Sequence, residues 1–75
     1  MNINEQIGFE MRNQRLLKRL TLEEVASRMG VKSRNTISLM EKGITKITVV
    51  DLQKYCEAVG CSWIDILMKV DAQQE

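Results

Sequence analysis

Three pairs of a hydroxyl residue and an acid three positions on, Thr21 with Glu24, Thr48 with Asp51 and Ser62 with Asp65, each stand just before an apolar helical pattern. At that spacing the hydroxyl oxygen accepts from an unpaired amide of a helix's first turn while the acid reaches back to the cap's own N–H, so each pair marks a helix start. Stops are marked as plainly. Gly30, Gly43 and Gly60 stand where a left-handed residue would end a helix. With no proline anywhere and few stretches of period two, the chain reads as all-α.

Five helices follow from this punctuation. From about Asn4 to Arg19, Ile7, Met11 and Leu16 recur at helical spacing and predict an amphipathic first helix. Thr21 opens a second, with Val25, Ala26 and Met29 inside and Gly30 as its cap. Ser33 caps a third, in which Ile37, Met40 and Glu41 share one face. Thr48 opens a fourth with Leu52, Tyr55, Cys56 and Val59 inward. Ser62 opens the last, where Trp63, Ile64, Ile66, Leu67 and Met68 surround most of the helix, more than so small a domain needs to bury. Residues 1–75 make one domain with a single core, expected to span 4–69, and a polar, fraying tail at 71–75.

Several function classes drop out. The chain has no histidine, which removes the commonest general base and metal ligand. Cys56 and Cys61 match neither CxxC nor a zinc spacing and read as buried or half-buried thiols. No nucleophile–base set and no phosphate-cradling glycine loop are present, so neither an enzyme nor a cofactor or metal is expected. No stretch approaches a membrane span, and Met1 to Gln6 lack a signal-peptide pattern, which makes the cytoplasm the default location.

The net charge of +1 conceals an uneven distribution. Residues 11 to 46 carry nine basic side chains (Arg12, Arg15, Lys18, Arg19, Arg28, Lys32, Arg34, Lys42, Lys46) against three acids (Glu23, Glu24, Glu41), and both flanks are net acidic. One basic face is the footprint of a small nucleic-acid-binding module, although a solvated surface can show a similar bias. In the same region Ala26 and Gly30 supply the small residue and the turn glycine that let two short helices pack at a steep angle. Val25, Met29, Val31, Ile37 and Met40 then fix the second helix across the first, which describes a helix-turn-helix.

Over residues 7 to 67 the chain resembles the lambda-repressor/Cro-like helix-turn-helix family, also called the XRE family. The resemblance is carried by "IGFEMRNQR", "LTLEEVASRMGV", "TISLMEKG" and "LQKYCEAVGCSWIDIL", in the family's order and at nearly its spacing. It implies a compact five-helix, lambda-repressor-like DNA-binding domain whose helix-turn-helix is formed by helices two and three. It also implies a regulator acting as a dimer on a palindromic operator. Two departures stand out. Lys32, Ser33, Arg34 and Asn35 make the turn one residue longer than the family's usual three, and Leu22 replaces a frequent glutamine. A phosphate contact at that second position falls to backbone N–H groups at the helix N-terminus.

With Ile37, Met40 and Glu41 inward, helix geometry turns Arg34, Asn35, Ser38, Leu39 and Lys42 outward. Arg34, Asn35 and Ser38, nearest the helix start, are the candidates for base edges, with arginine suited to guanine and asparagine to adenine. Leu39 either rests on a thymine methyl or is an ordinary exposed leucine. Thr21, Lys32, Lys42 and Lys46, with Arg12 and Arg19, form the candidate phosphate set. By the family's pattern Arg15 and Glu41 pair across the first and third helices as a partly buried structural ion pair. Ile44, Ile47, Trp63, Ile64, Leu67 and Met68 are candidates for a homodimer interface, with Trp63 equally suited to the core.

The expected function is therefore a transcriptional repressor or autoregulator on a double-stranded DNA operator, nucleoid-associated when bound, with no small-molecule effector. The alternative is an antitoxin or adaptor that uses the same fold to bind a protein.

Overall fold

A computed structural model describes residues 1–73, and within them the helices α1 (Ile3–Leu17), α2 (Leu22–Met29), α3 (Arg34–Glu41), α4 (Val49–Val59) and α5 (Trp63–Ala72) follow in order. Each begins at a side-chain cap. Thr21 with Glu24 and Thr48 with Asp51 close reciprocal capping boxes, and Ser33 and Ser62 accept from the Asn35 and Asp65 amides. α1 starts slightly before the apolar periodicity does, because Asn2 and Glu5 close a capping box of their own.

The stops are backbone devices. Gly30 and Gly60 sit at φ 74° and 87°, which lets the next amide reach back to the last helical turn: Val31 N–H to Ala26 O and Cys61 N–H to Cys56 O, both at 3.0 Å. α1 ends the same way without a glycine. Arg19 takes φ 58°, and Leu20 N–H bonds Arg15 O at 3.1 Å, at a cost of about 1–2 kcal/mol for a left-handed side-chain-bearing residue.

Five helices close around one core. Met11 from α1, Val25 from α2, Ile37 from α3, Tyr55 and Cys56 from α4 and Ile66 from α5 are essentially inaccessible to solvent. α2 packs on α3 and α4, while α1 runs behind, touching α3, α4 and α5. Among the described residues no helix is long and apolar enough to cross a membrane.

One expectation is corrected. Leu16 is not on the inner stripe of α1 but 48% exposed. The position one turn after Met11 on the core face is Arg15, which is buried, whereas Leu16 lies 500° of helical rotation from Met11 and so points away. α5 extends two residues past the start of the expected tail at Asp71. Val70 is 3% exposed and is the last buried residue of α5, which runs on with exposed side chains through Ala72, and the Gln73 side-chain amide donates to Glu10 at 3.1 Å. Residues 74–75 of the expected tail lie outside the described residues.

The connector from α3 to α4 is clamped from the far end of the chain. The Asn4 amide donates to the carbonyls of Gly43 (3.0 Å) and Thr45 (2.8 Å), and its oxygen accepts from Ile47 N–H (2.9 Å). One side chain thereby satisfies three backbone groups that no helix serves, and fixes the segment carrying Lys46.

Candidate nucleic-acid interface

α2 and α3 cross at the turn 30–33, and that crossing decides what each can present. Thr21 accepts from Glu24 N–H at 3.1 Å, and Glu24 accepts from Thr21 N–H at 2.9 Å. The same backbone bond is the first cause holding the Glu24 carboxyl below its usual range. A hydrogen bond from the Thr21 side chain acts on it in the same direction. Leu22, which replaces the family's glutamine, is half-buried against the core.

On α3, Ile37, Met40 and Glu41 are buried, while Arg34, Asn35, Thr36 and Lys42 are exposed and Ser38 and Leu39 half-exposed. At 100° per residue, Asn35, Leu39 and Lys42 lie opposite the buried face, with Ser38 and Thr36 on its two sides. Thr36 is absent from the outward set predicted from sequence. Arg34 sits on the flank nearest the core face, and its Nη1 donates to Glu23 Oε2 at 3.0 Å across the turn. A shallow groove of about 510 Å³ runs beside this pair, lined by Glu23, Ser27, Lys32, Ser33 and Arg34 among others.

The cations around this face are accessible. Arg12, Arg19, Lys32, Lys42 and Lys46 are all exposed, and among the described residues no ion pair engages them. Arg28 is occupied elsewhere: its Nη1 donates to Ala58 O at 2.9 Å, near the C-terminus of α4.

What holds α3 from behind is a buried polar network. Arg15 Nε donates to Glu41 Oε2 at 2.7 Å and Nη2 to Oε1 at 2.9 Å, while Nη1 reaches Leu20 O at 2.9 Å. The two side chains are 10% and 4% exposed. The hydrogen bond to Glu41 raises the Arg15 pKa against the opposing effect of burial. Tyr55 completes the network, its hydroxyl donating to Glu41 Oε2 and lying 2.9 Å from Met11 O. In the sequence it looked like one more apolar residue of the fourth helix, since both partners are remote along the chain.

Burial, and then the Glu41 carboxylate, push the Tyr55 phenol well above its usual pKa of 10.0. Above pH 10 the folded state therefore holds a proton that the unfolded chain releases, so stability present below that pH is lost as pH rises. Tyr55 is the chain's one tyrosine. In an alkaline titration, tyrosinate absorbance should emerge together with the loss of helical circular dichroism. Tyrosinate forming while the helices remain intact would contradict this burial.

The six candidates for self-association divide. Ile44, Ile64 and Met68 are 68%, 53% and 64% exposed, whereas Ile47, Trp63 and Leu67 are half-buried against the core. Val49 and Val50, at 58% and 56% exposure beside the connector, add apolar surface beyond these six.

The sequence pattern of the helix-turn-helix family matches residues 11–66. Among solved structures, the clp gene regulator ClgR from Corynebacterium glutamicum is 28% identical with a TM-score of 0.90, over 100% of this chain and 96% of that one. A second structure of ClgR is 29% identical with a TM-score of 0.88, covering 97% of this chain and 77% of that one. A tyrosine-to-phenylalanine mutant of the restriction–modification controller protein C.Esp1396I shares the fold, at 19% identity and a TM-score of 0.82 over 97% of this chain and 91% of that one. No curated protein matches.

Proposed function

The chain belongs to the helix-turn-helix family and is a DNA-binding transcriptional regulator, and on that premise we propose that it represses transcription by binding a palindromic operator as a homodimer, α3 lying in the major groove. The observation that carries this is the division of α3 into two faces. Ile37, Met40 and Glu41 anchor it from behind, while Asn35, Leu39 and Lys42 stand opposite, with Arg34 at its start. Arg34, Asn35, Ser38 and Leu39 then address base edges. Thr21, Lys32, Lys42, Lys46, Arg12 and Arg19 neutralise or bond phosphates and carry no sequence information.

A single recognition helix covers only a few base pairs. Two copies reading half-sites about 34 Å apart supply the rest of the specificity. The exposed Ile44, Ile64 and Met68 are the surface we assign to that pairing, with Ile47, Trp63 and Leu67 supporting it from the half-buried layer. ClgR is a regulator of clp genes, and its similarity over nearly the whole chain supports a regulatory role.

Selection of bound sequences from random duplex DNA tests the proposal. A palindromic consensus should be enriched, and Arg34→Ala and Asn35→Ala should each relax preference at particular bases. With about four phosphates neutralised per subunit, the dimer's affinity should fall with salt at a log–log slope of roughly −7. A slope near zero, or no enriched sequence, would refute DNA readout and point to a protein partner instead.

A further inference from the structure

We propose that Glu23 is a specificity-determining residue: by holding one edge of the Arg34 guanidinium across the turn, it presents the other edge to a guanine. The inference rests on the DNA readout proposed above. Glu23 lies in the first turn of α2 and Arg34 is the first residue of α3, so their contact spans the two elements of the helix-turn-helix. Oε2 of Glu23 meets only Nη1, at 3.0 Å. Nε and Nη2 are left on the opposite edge, two parallel donors at the separation that guanine O6 and N7 accept.

Stability does not explain the pair. Both side chains are 63% exposed, and ion pairs at such sites contribute little to folding. Their effect is on the arginine's freedom. An unheld arginine at a helix start samples many rotamers and loses them on binding, whereas one already fixed at Nη1 meets the base with part of that loss behind it. The longer turn fits this role, since Ser33 caps α3 and leaves Arg34 as the residue directly facing the start of α2.

A carboxylate here also carries a penalty, because it stands near the path of a negatively charged backbone. A hydrogen bond from its own backbone amide, and then the Arg34 guanidinium, hold the Glu23 carboxyl below its usual range. The two effects oppose each other in separate measurements: Glu23 weakens general attraction to DNA and sharpens discrimination at one base pair. A residue that merely stabilised the fold would move both together.

The test compares wild type, Glu23→Gln, Arg34→Ala and the double variant. Each is titrated against the duplex enriched by wild type, against that duplex changed one base pair at a time, and against random duplex. Glu23→Gln should bind random duplex as tightly as wild type or more so, and lose about tenfold discrimination at one base pair only. Arg34→Ala should lose the same position, and the double variant should lose no more than Arg34→Ala. Undiminished discrimination by Glu23→Gln, or additive losses in the double variant, overturn the role of Glu23 while leaving DNA readout standing. A wild type that enriches no sequence overturns both.

Discussion

Arg15→Ala is expected to remove about 3–5 kcal/mol of stability, the range seen when one member of a buried, hydrogen-bonded ion pair is deleted. In a domain of this size that corresponds to a fall in melting temperature of roughly 12–40 °C. The expectation comes from what is left behind. Glu41 is 6% exposed and would keep only the Tyr55 hydroxyl as a partner, and Leu20 O, which Arg15 Nη1 now serves at the end of α1, would lose its donor. Arg15→Lys should restore little, since an ammonium cannot reproduce the two bonds at 2.7 and 2.9 Å together with the third to Leu20. Exchanging both partners for apolar side chains, as Arg15→Met with Glu41→Leu, should melt higher than Arg15→Ala because no charge is stranded. Thermal and urea unfolding of the four proteins check this. A loss under 1 kcal/mol in Arg15→Ala would mean that water reaches Glu41.

The parts of this fold that were legible in the sequence are those whose causes are local. A threonine and an acid three residues apart satisfy helix amides whatever the rest of the chain does, so the starts of α2 and α4 were readable from Thr21 and Thr48. The orientation of α3 was readable too, because a step of 100° per residue places Asn35 and Leu39 opposite Ile37 without reference to any neighbour. Periodicity misled where it was read through residue type. Apolar character alone puts Leu16 inward, while the inward position is held by Arg15, whose pairing with Glu41 only the family's pattern implies, since that partner comes from another helix. The hydrogen bonds of Tyr55 and Asn4 are not legible for the same reason: each bonds groups brought near only by the closed fold, Glu41 and Met11 in one case and the 43–47 connector in the other. The pairing of Glu23 with Arg34 depends on how steeply α2 and α3 cross, and no single helix's pattern encodes that angle.

Gly8→Ala is expected to destabilise the protein although it replaces the poorest ordinary helix former with the best. In an exposed helix interior the change gains about 1 kcal/mol. Here the new Cβ would lie 2.7 Å from the carbonyl oxygen of Glu41 and closer still to that of Met40. Both are backbone atoms at the end of α3, and no flexible side chain stands between to yield, so α1 and α3 must move apart. Overpacking of that kind costs about 1–3 kcal/mol, and sometimes more, beyond the propensity gain. Gly8 sits within α1, away from any helix end, so glycine as punctuation does not account for it, yet it sets how closely α1 approaches α3. The shift acts where Glu41 meets Arg15, so the two perturbations share a mechanism. Combined, Gly8→Ala and Arg15→Ala should cost less than the sum of their separate effects, as coupled neighbours do. DNA affinity should fall with Gly8→Ala as well, since the displaced element is the one that carries Asn35 and Leu39. A variant that melts higher than wild type would show that propensity prevails and that α1 stands farther from α3.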